Sequence, residues 1–284
     1  MVQAKGAEPG ASRRTTTLPS SSLKLRIASA LVMAPLALAA TWAGPPFFPM
    51  LVGLGAAGMG WEWARLTGIS AKWGQGAIIA TAVACAFAAA LGTAAVGIAI
   101  AVIGAFVVWR VAIAIGAPAP RWAALGTLWI ALPGVAIIWV DAAPQGRAAV
   151  LWLFAVVWAS DIGAYAAGRA IGGPRLAPAL SPNKTWAGAV GGLIVAGLLG
   201  YGVAQLVHGS TAMIVPASLA LSVAAELGDL AESFAKRKFG VKDTGGIIPG
   251  HGGLLDRLDS LLTAAVVQGL MLLFGAGLGV DLLG

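Results

Sequence analysis

The chain is short of charge and of cysteine. Only 10% of its 284 residues are Asp, Glu, Lys or Arg, where a soluble domain carries about 25%. A soluble fold of this size needs more polar side chains than that to cover its surface. Cys85 is the single cysteine, which excludes a disulfide-held secreted scaffold. No G-x-x-x-x-G-K-[ST] loop occurs, so a P-loop nucleotide site is excluded. The polar/apolar alternation of a membrane β-barrel is also missing. Hydrophobic residues make up 59% of the chain, which excludes disorder for its bulk.

What is present is a series of long apolar runs, each near the roughly 20 residues that a membrane-crossing helix needs. The fold class expected is all-α, a polytopic integral membrane protein. Nine candidate spans cover 27–43, 47–66, 76–93, 95–115, 122–140, 148–170, 186–207, 212–231 and 260–281. Only the short stretch from Gly92 to Gly97 parts the third from the fourth. Residues 1–26 are polar, basic and rich in Ser and Thr, and read as a disordered cytoplasmic tail. The long leader before Arg26, and the apolar chain that continues after it, favour a retained first span over a cleaved signal peptide.

Basic residues concentrate on the cytoplasmic side of a membrane protein. With the N-terminus inside and the spans alternating, 17 of the 18 Lys and Arg residues fall in inside segments or at inside span ends, and only Arg147 falls outside. Merging or splitting one span would spoil that sorting. The net charge of +7 is therefore mostly topogenic, and no nucleic-acid partner is expected. The lipid bilayer is the partner that the composition implies.

Several local patterns have plain readings. Gly53, Gly55 and Gly58 spell G-x-G-x-x-G, but inside an apolar span and not between a strand and a helix. They read as close helix packing, as do Gly188 and Gly192. Cys85 reads as a packing residue and His208 as a solvated loop residue. Glu62, between Trp61 and Trp63, is expected to pair with Arg65 three residues on.

Charge gathers in one place. Eleven of the 29 charged residues lie between Glu226 and Asp259, and six of those eleven are acids. A topogenic loop would carry bases without the acids, and charge at the membrane usually marks function. On a helix, Asp229, Ser233 and Lys236 share a face, as do Asp256 and Asp259. Gly245, Gly246, Pro249, Gly250, Gly252 and Gly253 make the intervening stretch a tight loop with backbone N–H groups open to phosphate. Carboxylates on two helix ends suit Mg²⁺, a hard cation that bridges one or two carboxylates to phosphates. A second cluster holds Asp161, Arg169, Arg175 and the block from Ser181 to Trp186. There Ser181 and Pro182 suggest the start of a helix, with Lys184 at its anion-binding N-terminus. Both clusters face the cytoplasm in this topology. Together they suggest a phosphate-bearing lipid meeting a soluble nucleotide.

The segment Ser233–Asp259 reads SFAKRKFGVKDTGGIIPGHGGLLDRLD. It resembles the signature of the phosphatidate cytidylyltransferase (CDP-diacylglycerol synthase) family at Ser233, Lys236, Arg237, Lys242, Asp243, His251, Gly252, Gly253, Asp256, Arg257 and Asp259. Asp161, Tyr165, Gly168 and the SPNKTWAG block at 181–188 resemble the family's second motif. Asn183 departs from it where a second Lys is common. The specific likeness covers roughly 150–281.

The resemblance implies a nucleotidyltransferase of phospholipid biosynthesis that joins CMP from CTP to phosphatidate, with Mg²⁺, in the cytoplasmic membrane. Residues 27–147 would be N-terminal transmembrane helices, and 148–284 the catalytic transmembrane region with the signature at 233–259. Asp229 and Asp256 are the leading metal ligands, with Asp259 and Asp161 as further candidates. Lys236, Arg237, Lys242 and Arg257 would contact phosphates, with Asp243 in the same catalytic set. Ser181, Lys184 and Ser233 would hold substrate. His251 would orient a ligand or brace the loop. A CTP-dependent lipid kinase and a transporter are the rival readings, and the sequence leaves a homodimer open.

Overall fold

The computed structural model describes residues 20–248 and 252–278. The expected tail before residue 20 lies outside the described residues, and the first helix already begins at Ser20. Among the described residues, nine helices follow one another: α1 (Ser20–Ala43), α2 (Phe47–Leu66), α3 (Lys72–Ala90), α4 (Ala94–Ala114), α5 (Pro120–Asp141), α6 (Gly146–Ala170), α7 (Trp186–Leu206), α8 (Thr211–Lys238) and α9 (Leu255–Leu278). The boundary between the third and fourth spans falls at Gly92, whose φ of 75° ends α3. The fold is all-α, as expected, with one small addition. Between α6 and α7 the chain forms an antiparallel hairpin, β1 (Arg175–Ala177) with β2 (Ser181–Thr185).

Among the described residues, seven helices, α3 to α9, are long and apolar enough to cross a membrane. Their outward faces show what surrounds them. In α4 and α7 only 28% of the span is buried, and the exposed side chains include Val102, Ile103, Phe106, Ile194 and Leu198. Water would not tolerate such faces on every side, whereas lipid favours them. The protein is an integral membrane protein.

The interior is held by close approach and by polar groups that find partners. α6 and α7 share the most extensive helix contact. A methyl added at Gly192 would stand 3.0 Å from the Ser160 carbonyl oxygen, and one at Gly188 would stand 2.9 Å from that of Ala164. The expected small-residue packing is therefore real at both positions. Within α2 it holds for Gly58, which sits under Leu254, but Gly55 faces open space. Trp63 is fully buried, stacks edge-on against Trp129 and donates its indole N–H to the Trp122 carbonyl at 2.8 Å. That satisfied donor ties α2 to α5.

Two expectations about element boundaries change near the charged clusters. Ser181 and Pro182 do not open a helix. They lie in β2, and α7 starts at Trp186 with Thr185 as its cap, whose hydroxyl accepts the Gly188 N–H at 3.0 Å. An N-cap hydroxyl meets an otherwise orphaned helix amide, so Thr185 sets the start. α8 runs beyond the apolar stretch as far as Lys238. Gly240, at φ 67°, then turns the chain back, and the Val241 N–H closes on the Lys236 carbonyl. Lys236, Arg237 and Lys238 thus occupy the last turn of α8, where cations complement the helix dipole.

Candidate active site

The ends of α6, α8 and α9 and the hairpin surround a cavity of about 940 Å³. Its lining changes character along α6. Phe154, Val157 and Trp158 come first, then Asp161, then Arg169 at the far end. Met33, Ala34 and Ala37 of α1 add to the apolar part, and six acids and five bases line the cavity in all. An apolar wall leading to a charged end suits a molecule that is itself half apolar and half charged.

The acids fall into two groups. In the first, oxygens of Asp229, Glu232 and Asp259 all lie within 4.8 Å of one another. Asp229 and Glu232 come from adjacent turns of α8, and Asp259 from the second turn of α9. Glu232 is 1% exposed, and neither of its carboxylate oxygens receives a hydrogen bond of good geometry; its contact is an ion pair with Lys236. Three carboxylates so close repel one another unless a cation joins them. All three offer hard oxygen atoms, the donors a small divalent cation prefers. The residues present therefore fit Mg²⁺. Asp161 approaches this group from α6, close enough to feel the charges of Asp229, Glu226 and Lys184.

The second arrangement belongs to Asp256. Its Oδ1 meets the Lys236 ammonium at 2.9 Å. Its Oδ2 accepts the Thr244 N–H at 2.9 Å, the Thr244 hydroxyl at 3.0 Å and the Gly253 N–H at 2.8 Å. Asp256 thus ties the signature loop to the first turn of α9, and Asp259 stands with Asp229. Asp256 and Asp259 both stand near Glu232 and Lys236, in keeping with a shared helix face, while Asp256 also binds the loop.

The bases are arranged around these carboxylates. Lys184 Nζ lies 2.9 Å from Glu226 and 2.8 Å from Asp229. Burial alone would lower the Lys184 pKa, but the Asp229 and Glu226 carboxylates outweigh it and hold the ammonium above its ordinary value. Lys236 bridges Glu232 and Asp256. Arg257 lines the cavity. Ser233 donates to Asp229 at 3.3 Å, one turn back on the same face of α8.

Other expected residues stand further off. Arg237 donates from Nε to the Leu180 carbonyl at 3.2 Å and so fastens the hairpin turn to α8. Ser181 is paired within the hairpin, opposite Ala177. Lys242 and Asp243 are exposed on the loop and are not part of the cavity lining. His251 lies outside the described residues.

Three groups carry more of the site than the sequence reading assigned them. The sequence places Glu232 and Glu226 among the clustered acids without a role of their own. Their spacing was the available signal, because each lies three residues from Asp229 on the same face of α8. Glu62 is the third. The expected ion pair with Arg65 does not form, since Arg65 lies over the Trp61 ring, 4.7 Å from its centroid. The Glu62 carboxylate instead accepts the Leu254 and Leu255 N–H groups, each at 2.9 Å, where α9 begins. Two orphaned amides at the positive end of a helix hold a buried carboxylate better than one exposed guanidinium does.

Comparison with known proteins agrees with this geometry. The phosphatidate cytidylyltransferase of Brucella suis is 39% identical over 277 residues, covering 90% of this chain and 94% of its own. That of Pseudomonas aeruginosa is 35% identical over 271 residues, covering 90% of this chain and 99% of its own. That of Haemophilus influenzae is 47% identical over a shorter stretch of 134 residues, 43% of this chain and 44% of its own. With a family match that extends over residues 24–274, from α1 nearly to the end of α9, the chain belongs to the cytidylyltransferase family.

Proposed function

We propose that the chain transfers CMP from CTP to phosphatidate, giving CDP-diacylglycerol and pyrophosphate. A phosphate oxygen of phosphatidate attacks the α-phosphorus of CTP. The bond from that phosphorus to the β-phosphate oxygen breaks, and pyrophosphate leaves with its electron pair. The nucleophile is already ionised near neutral pH, so no strong general base is required. The obstacle is mutual repulsion of two polyanions, and the cavity counters it by position and charge.

The observation that carries this reading is the cavity's change from the apolar wall of Met33, Phe154 and Trp158 to the acid and base cluster. Phosphatidate has the same two halves. Lys184, Lys236 and Arg257 would neutralise the phosphates, with Arg237 and Lys242 close by on α8 and the loop. Ser233 would orient Asp229. Asp229, Glu232 and Asp259 would hold Mg²⁺, with Asp256 and Asp161 next to them. When bound, the ion supplies charge stabilisation to the phosphates.

The finer topology follows the same reading. All nine helices would cross the cytoplasmic membrane, with the N-terminus and the cavity on the cytoplasmic side, where CTP is found. Arg65, Arg121, Arg169 and Lys238 would mark that side, and Arg147 the other.

The test is the purified full chain in lipid nanodiscs with phosphatidate and each of the four nucleoside triphosphates. Pyrophosphate release with CTP, and its loss without Mg²⁺, is the result expected. Orthophosphate release, with the γ-phosphate carried to a lipid, would point to a kinase and overturn the reading.

A further inference from the structure

Glu62 lies outside the cavity lining, and neither the family signature nor the proposed chemistry uses it. Yet its carboxylate is fully buried. A charge is kept inside a protein only where strong donors meet it. Here the donors are the two amides that open α9, one on each carboxylate oxygen.

The opposite side of the same corner is held by Asp256, through Thr244 and Gly253. Three consecutive amides, those of Gly253, Leu254 and Leu255, are therefore shared between one carboxylate inside the site and one from α2. The glycines of the loop conform to this clamp. A methyl at Gly253 would stand 2.8 Å from Glu62 Oε2 and 2.8 Å from Asp256 Oδ2, and one at Gly245 would collide with Glu62 Oε1. Neither glycine has a positive φ, so crowding and not backbone freedom accounts for the missing side chain: by Glu62 alone at Gly245, and by the Thr244 hydroxyl together with Asp256 and Glu62 at Gly253.

We infer that Glu62 is a positioning residue for nucleotidyl transfer. From α2 it fixes the register of the signature loop and the first turn of α9, and so sets where Asp256, Arg257 and Asp259 stand. The inference rests on reading the cavity as the transfer site. It also gives the N-terminal helices a part in the chemistry beyond packing.

The test compares the wild-type chain with Glu62→Gln and Glu62→Asp in nanodiscs. Four quantities are followed: kcat, KM for CTP, Mn²⁺ affinity by electron paramagnetic resonance, and hydrogen exchange at Leu254 and Leu255. Glutamine keeps the shape but offers one acceptor for two amides. Its kcat and its Mn²⁺ affinity are expected to fall by roughly 10–100-fold, as when a group supporting a ligand is removed. KM for CTP should change less than kcat, because Lys184 and Lys236 keep their places even where Arg257 shifts with α9. Exchange at both amides should quicken, and Asp, which retains the charge, should recover part of each loss. Wild-type kcat and Mn²⁺ affinity in folded Glu62→Gln would overturn the inference. If that variant fails to insert, Gly245→Ala carries the test, because its methyl displaces the same carboxylate; the same losses are expected, and wild-type values would overturn it. A wild-type chain that releases no pyrophosphate counts against the functional reading alone. The Mn²⁺ and exchange measurements then still decide the part played by Glu62.

Discussion

Lys184 Nζ sits 2.8 Å from Asp229 Oδ2, and that one contact joins the β hairpin to the carboxylate cluster of α8. The hairpin alone is two short strands, too few to be stable by themselves. α8 holds it through this ion pair, through the second one from Lys184 to Glu226 at 2.9 Å, and through the bond from Arg237 to Leu180. One of the cations lining the cavity is thus also one that fixes the hairpin.

Lys184→Met should lower kcat/KM for CTP by roughly 100-fold, the usual effect of losing one preorganised charge at a reacting phosphate. Lys184→Arg should recover part of it. The raised pKa of Lys184 also sets a sign. The ion pairs are intact below the ordinary lysine value of 10.5 and weaken only as pH climbs through the higher folded-state value. No alkaline loss of activity from this group is expected below about pH 10, and a pH profile of kcat/KM checks it.

Glu232→Gln should weaken Mn²⁺ binding even though Glu232 precedes the family signature. Asp259→Asn should do the same, each by roughly 100-fold if a ligand is lost. Titration by electron paramagnetic resonance reads this directly. Chelation with EDTA should stop pyrophosphate release, and excess Mg²⁺ should restore it.

Asp256→Asn should abolish product formation while the protein still inserts. The structure adds a second readout. Amide exchange at Thr244 and Gly253 should accelerate, because a neutral amide is a weaker acceptor than the carboxylate it replaces. Near-normal turnover in this variant would contradict any part for Asp256 in the site.

Arg257→Lys should reduce kcat by about tenfold or more, since an ammonium cannot reproduce a two-pronged guanidinium contact. Steady-state kinetics with CTP and phosphatidate checks it, and unchanged kinetics would count against a bidentate phosphate contact.

Gly192→Val tests the α6–α7 seam. A side chain there would press on the Ser160 carbonyl and on Ala164, and overpacking of this kind costs about 1–3 kcal/mol. A lowered thermal midpoint in detergent is expected, without a specific change in Mn²⁺ affinity.

Sequence and structure agree wherever lipid is the solvent. A helix that lipid surrounds must be apolar along its length, so α4 at Ala94–Ala114 coincides with the run read at 95–115. Agreement fails where helices leave the bilayer. The apolar stretch of α8 ends near 231, yet its charged last turns remain helical until Gly240 stops them. Ser181-Pro182 reads as a helix start because those residues favour one locally. Pairing with β1 is a non-local interaction and overrides that preference. Glu232 was legible in spacing but stands one residue before the signature begins. Glu62 was not legible, because local spacing shows the Arg65 three residues away and cannot show a partner brought in by the last helix.

That last partner bears on how the molecule is made. Glu62 leaves the ribosome 192 and 193 residues before the two amides it will bind. Contacts over such separations form late, because so much chain must be ordered first. Until α9 is made, the Glu62 carboxylate has neither of its two amide donors. The joint between α2 and α9 is therefore among the last parts of the fold to close.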